Sequence, residues 1–389
     1  MIRQPLALIA ILIGMEAGIL FLADHPRSKK YFRFLPAVFW IYFLPMLAST
    51  AGLIDAKSPL YQKITEHVLP ASLFLLLIPV DLKAILRLGA PALIMFLAGS
   101  AGIVLGAPIV FVIVKNFIGG QFWTGFGALC ASWTGGSANM VAVKEALGTP
   151  DEVFLPMVVV DTVVPYLWMG GLIALAAWQP VFDRLNRSDR RVLDSLASRI
   201  SPSVKRKTAG SLKTVIGLIL AASLAGWVSR SLAAVLPVIP QVISTYAWSI
   251  IVVTFLGLLF SLTNIRGQER QAATPIGYAL LYFVLTSIGA KASLSQSGST
   301  VILILAGFGI VFIHTIFLLV TARLIKAPMF LVATASQANV GGVASAPVVA
   351  EIYQPGLAPV GLLLAILGNM IGTYLGILAG QLCRLVGGV

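Results

Sequence analysis

The sequence predicts an all-α integral membrane protein made of two inverted repeats of five transmembrane helices, each repeat carrying a re-entrant helical hairpin. Three observations carry that prediction. The 389 residues are 58% hydrophobic and only 11% charged, with a mean hydropathy of +0.96. Long apolar runs follow one another along the chain, and two of them are broken at the centre by glycine-rich tips. The second half of the chain matches the first at one nearly constant offset.

A chain so poor in charge cannot coat a water-soluble globule, so lipid must be its solvent. A helix needs roughly 20 apolar residues to cross the hydrocarbon. Open sheet edges leave backbone groups unpaired there, and no alternating barrel pattern competes. The net charge of +13 raises nucleic acid as a partner. The basic residues sit between apolar runs, however, with no interleaved basic and aromatic surface, and no nucleic-acid partner is expected. Cys130 and Cys383 make no disulfide framework and no metal cluster with three histidines; they read as packing residues, and no cofactor is expected. The run 6–23 lacks a small-x-small cleavage pattern before Asp24 and reads as a retained span, not a secretory signal.

The predicted spans are 5–23, 35–53, 64–80, 89–114, 152–178, 211–235, 242–263, 273–290, 298–322 and 357–380. Segments near 121–147 and 328–352 are also apolar, but TGGSAN and NVGG interrupt them. The polar stretch from Gln179 to Lys213 carries nine basic residues and divides the chain into a repeat 1–178, a basic linker 179–213 and a repeat 214–389. That linker suits either a solvated loop or a short amphipathic helix on anionic lipid. At an offset of 208 residues Trp40 meets Trp248, Lys83 meets Lys291, Leu97, Ala98 and Gly99 meet Leu305, Ala306 and Gly307, and Asp161 meets Asn369.

Parity decides the topology. If the glycine-tipped segments return to the side they left, each half has five spans and the halves are inverted; if they cross, each has six and the halves are parallel. The re-entrant version, with both termini extracytoplasmic and the linker cytoplasmic, puts nineteen Lys and Arg inside against eight outside. The crossing version separates the linker from the cluster at Arg27, Lys29, Lys30 and Arg33. The charge rule therefore favours inversion, and inverted repeats with broken helices are characteristic of carriers that alternate access around a midplane site.

Backbone turning inside the membrane needs partners, so the tips mark a candidate substrate site. In the first, Thr134, Gly135 and Gly136 permit the reversal, and Ser137 or Asn139 can cap the second half-helix. The second supplies Ser336, Gln337, Asn339, Gly341, Gly342 and Ser345. Two half-helix N-termini suit an anionic or zwitterionic solute, a carboxylate above all; the plain reading is that the glycines only let helices pack closely. Asp161 and Thr162, with Asn369 and Thr373 on the mirrored helix, can hold Na⁺ through oxygens or carry a proton, and Asn139 and Asn339 are further oxygen ligands for Na⁺. The plain alternative is a hydrogen-bonded structural aspartate. Glu16 fits a contact between helices or protomers as well as coupling, and His314 fits a proton relay or a histidine satisfied by a carbonyl. Pro156, Pro165 and Pro359 read as helix kinks. No nucleophile with a base, aspartate pair or HExxH set points to an enzyme.

SWTGGSANMVAVKEALG and ASQANVGGVASAPVVAEIY, each followed by the span bearing Asp161 or Asn369, resemble the bacterial membrane family called domain of unknown function 819, over essentially the whole chain. More distantly, two halves of five spans with a glycine-tipped re-entrant loop between the fourth and fifth are similar to the sodium/glutamate and 2-hydroxycarboxylate symporters. That resemblance implies a glutamate-symporter-like elevator in a bacterial inner membrane, a Na⁺-coupled homodimeric carrier of small carboxylates. H⁺ coupling or export of another small solute is the alternative. The tips here depart from the glutamate-symporter vertex, which leaves the substrate open.

Overall fold

The computed structural model describes residues 2–28, 32, 37–189, 191–193, 196, 212–238, 244–263, 267–291 and 300–388. The chain is all-helical, and the described residues add only an isolated bridge between Ile2 and Ile54. Helices α1 (Pro5–Asp24), α2 (Ala37–Thr50) and α3 (Leu60–Leu77) precede a short α4 (Leu82–Leu86) and the long α5 (Ala90–Ile118). The first interrupted segment forms α6 (Phe122–Gly135) and α7 (Ser137–Ala146), followed by α8 (Asp151–Leu175) and α9 (Gln179–Asn186). Then come α10 (Leu212–Ala233), α11 (Thr245–Ser261), α12 (Gly267–Lys291) and α13 (Thr300–Ile325). The second interrupted segment forms α14 (Met329–Val340) and α15 (Gly342–Tyr353), and α16 (Ala358–Gly387) ends the chain. Among the described residues, 7 helical stretches are long and apolar enough to cross a membrane. The protein is thus an all-α membrane protein.

The helices group into two compact units that do not follow the halves of the sequence. One comprises Met1–Pro79, Thr149–Thr162 and Lys207–Gly298; the other comprises Val80–Gly148, Val163–Arg206 and Ser299–Val389. In the first unit α12 packs on α2 and α3, while α10 and α11 pack on each other and on α3. A side chain at Gly289 would run into the Tyr42 carbonyl, which explains the glycine there.

The second unit is built around α16. Along one face Gly368, Gly372, Gly376 and Gly380 recur every fourth residue and meet Thr134, Gly135, Ala131 and Gly127 of α6. Residues four apart share a helix face, and small ones let two backbones approach closely. The pair α5 and α13 packs beside them, with Gly102 against the His314 backbone and Gly106 against Ile313. Pro359 occupies the first turn of α16, where its missing N–H costs nothing, so it starts a helix and does not kink one.

The beginning of the expected linker is ordered onto this unit. Asn186 Nδ2 donates to the carbonyls of Ala322 (3.1 Å) and Ala327 (2.8 Å), capping the end of α13. Asp183 Oδ1 accepts from Met329 N–H at 2.8 Å, so a carboxylate from α9 caps the start of α14. Beyond it Arg191 donates to Asp189 through side chain and backbone, which holds that exposed carboxyl below its usual range. The linker residues 197–211 and the cluster Lys29, Lys30 and Arg33 lie outside the described residues. Lys144, one of the eight Lys and Arg assigned to the outside, is buried in α7 and bonded to Glu145 at 2.9 Å.

Candidate functional site

Both glycine tips are breaks between packed half-helices, and both belong to the second unit. In the first, Gly136 has φ +83°, a conformation that side-chained residues avoid, and it serves as the N-cap of α7. No side chain caps α7, which corrects the expectation for Ser137 and Asn139. Asn139 instead reaches back one turn: its Nδ2 donates to the Gly135 carbonyl, an otherwise orphaned group at the C-terminal end of α6. The same amide lies 3.4 Å from the Asn369 carbonyl, and Asn139 Oδ1 accepts from Thr373 Oγ1. Thr134 donates to Cys130 O at 2.7 Å. The half-buried Asn369 side chain faces Gly136, where a Cβ would lie 3.3 Å from its Oδ1.

The second break is tied differently. Gly341 N–H closes on the Gln337 carbonyl at 2.8 Å, and Gly342, at φ +63°, starts α15. Gln337 Nε2 donates to Ser345 Oγ at 2.8 Å, a bond that passes directly over Gly341. Asn339 is fully engaged: Ser100 Oγ donates to its Oδ1 at 2.6 Å, and its Nδ2 donates to the carbonyls of Phe96 (3.1 Å) and Ala335 (3.0 Å). Ser336 joins a third group. His314 Nδ1 lies 2.8 Å from Gly99 O and its Nε2 lies 2.9 Å from Ser336 Oγ, which also accepts from Trp168 Nε1 at 2.9 Å. Because a carbonyl only accepts, Nδ1 carries the proton in the neutral ring, Nε2 accepts, and Ser336 donates to it. This arrangement is the satisfied histidine, with Ser336 oriented by it.

These contacts give one local expectation. Gly341→Ala would press a Cβ into the Gln337 and Ser345 bond, whereas Gly342→Ala meets no atom and bears only the left-handed backbone, about 1–2 kcal/mol. Gly341→Ala adds overpacking to a lost buried hydrogen bond, roughly 2–4 kcal/mol together. In thermal melts of detergent-purified protein Gly341→Ala should therefore fall further; equal shifts would show that the crossing bond contributes nothing.

The coupling candidates do not all share a unit. Thr162, whose hydroxyl donates to Val158 O at 2.8 Å, and the half-buried Asp161 belong to the first, while Asn369 and Thr373 belong to the second. Among the described residues no three His, Cys, Asp or Glu side chains converge as a metal site. The family described as "Protein of unknown function (DUF819)" matches residues 10–386. The chain belongs to that family. An "Uncharacterized membrane protein YjcL" of Bacillus subtilis (strain 168) is 27% identical over 345 residues, covering 86% of this chain and 87% of that protein.

Several groups in this DUF819 chain went unseen in the sequence. Trp133, directly before Thr134, is fully buried and its indole N–H has no hydrogen-bond partner. Thr334 Oγ1 and Gln337 Oε1 are likewise buried and unpartnered on α14. Ser100 and Trp168 hold the break residues in place. A tryptophan or threonine inside an apolar run gives no signal of its own; only the neighbouring glycine break pointed to the region.

Proposed function

We propose that this DUF819 protein is a secondary active transporter of a small organic anion, carboxylate or amino-acid-like solute, coupled to Na⁺ and working by alternating access. The observation that carries the reading is the pairing of two helix breaks, one from each half of the chain, within one compact unit. In hydrocarbon, interrupted backbone persists only where protein buries it or a wet cavity runs beside it, and carriers use such breaks as binding sites. The first break offers donors: the uncapped N-terminal end of α7 and the buried Trp133 N–H. Positive helix ends and unpaired N–H groups suit a carboxylate.

In this reading both interrupted segments are re-entrant, the halves are inverted, and the second unit carries the solute while the first is the fixed scaffold of a homodimer in the inner membrane. The test is counterflow and uptake in proteoliposomes with a solute panel. Saturable exchange and accumulation driven by a Na⁺ gradient are expected; flux that never saturates and only follows the solute's own gradient would make the protein a channel. Asp161→Asn is expected to lower gradient-driven accumulation by about tenfold or more while insertion is unchanged, because an intramembrane carboxylate is retained for its charge. Undiminished accumulation would remove Asp161 from coupling.

A further inference from the structure

Several threonines inside the helices of this protein share a habit. Thr134, Thr162 and Thr315 each donate to the carbonyl one turn back, at 2.7, 2.8 and 2.7 Å. That local bond satisfies a hydroxyl at almost no cost, which is why it is the default in apolar surroundings. Thr334 breaks the habit: it is 0% exposed, and its Oγ1 has no partner. Three residues on, and therefore on the same face of α14, Gln337 is also 0% exposed and its Oε1 has no partner.

The orientation of the Gln337 amide is not arbitrary. Its nitrogen lies 2.8 Å from Ser345 Oγ and within 3.5 Å of the Pro165 carbonyl. The carbonyl cannot donate, so the amide nitrogen belongs on that side and the oxygen is left facing away. Leaving buried acceptors bare costs about 1–3 kcal/mol each, so something electropositive should complete them. Gln337 lies in the last turn of α14, where the Gly341 N–H takes its backbone carbonyl and the helix dipole presents its negative end, and Thr334 lies one turn earlier. Two neutral oxygens one turn apart, the second in the last turn of a broken helix, favour a small monovalent cation, since a divalent ion would call for carboxylates. Trp133 N–H, being a donor, is excluded from such a site.

We infer that Thr334 Oγ1 and Gln337 Oε1 are two ligands of a Na⁺ site at the second helix break, distinct from Asp161. Its role as the coupling site rests on the carrier reading; its existence does not. The experiment is therefore a binding measurement on the detergent-purified full chain: melting temperature against NaCl, with choline chloride holding ionic strength constant. Wild type should show a saturable rise with Na⁺. Thr334→Val, which keeps the shape and removes the hydroxyl, should weaken half-saturation by about tenfold or more, and Thr334→Ser should restore it. In choline alone Thr334→Val should melt no lower than wild type, because it removes a bare buried hydroxyl, and this separates a lost ligand from a lost fold. A Na⁺ response that Thr334→Val leaves unchanged would overturn the site and leave the carrier reading standing, with a buried water in the ion's place. No Na⁺ response in wild type would also overturn it. A Thr334-dependent response in protein that transports nothing would keep the site and end the carrier reading.

Discussion

Gly372→Val is expected to leave little properly folded protein in the membrane, while Gly170→Val should behave as wild type. A Cβ at Gly372 would lie 2.5 Å from the Cα of Gly135 and 2.9 Å from its nitrogen. Those are backbone atoms of a facing helix and cannot rotate away. Overpacking a core usually costs about 1–3 kcal/mol, because side chains can shift. Here α16 would have to move off α6, loosening Gly368 and Gly376 with it. Against a total stability of roughly 5–15 kcal/mol, that threatens the fold itself. Gly170 is a glycine of α8 where an added Cβ would meet no atom within 4 Å, so the same substitution there isolates the effect of contact from that of changing a glycine. Size-exclusion profiles of the two variants in mild detergent are the measurement; a monodisperse Gly372→Val with unaltered melting would show that the two backbones need not be so close.

The helices were legible because apolar length has one solution in lipid. Their ends were less so. α3 begins at Leu60, before the predicted 64, and α12 at Gly267, before 273. The added residues, among them Gln62 and Lys63 in one case and Gln268, Glu269 and Arg270 in the other, continue the helix after hydropathy has dropped. α16 likewise runs on to Gly387, held by Lys115 Nζ on the Gly387 carbonyl at 2.6 Å and by Arg384 over the Trp123 ring. Helical hydrogen bonding does not end where the bilayer does. The two compact units were not legible in the repeat boundaries, because α8 is divided between them after Thr162.

At the breaks, backbone demands could be read and side-chain directions could not. Glycine pairs announced the turns at Gly136 and Gly342, since few other residues tolerate positive φ. The spacing of Gly368, Gly372, Gly376 and Gly380 was equally visible in principle, but a stripe of small residues does not name its partner helix. Whether Asn139 looks forward to a ligand or back to a carbonyl depends on Thr373, 234 positions away. For the same reason Asn339 was expected to face a solute or ion, whereas Ser100 and the Phe96 carbonyl occupy its amide.

Asn139→Asp should destabilise the protein more than any other isosteric change at the breaks. The shape is conserved, but an ionised aspartate only accepts hydrogen bonds. Its second oxygen would replace the Nδ2 that now donates to the carbonyls of Gly135 and Asn369, so acceptors would face acceptors at a residue only 4% exposed. An uncompensated buried charge costs about 3–5 kcal/mol. Asn139→Ala removes the same bonds without adding charge and should cost less. Thr373→Val, which deprives Oδ1 of one donor, should cost about 1 kcal/mol. The loss of melting temperature in detergent should therefore be largest for Asp, smaller for Ala and smallest for the threonine variant. The comparison also decides what Asn139 is for. Were its side chain a solute ligand and not a brace on the break, Asn139→Asp would melt like wild type and lose only solute binding, because a group that waits for a ligand contributes little to the fold without one.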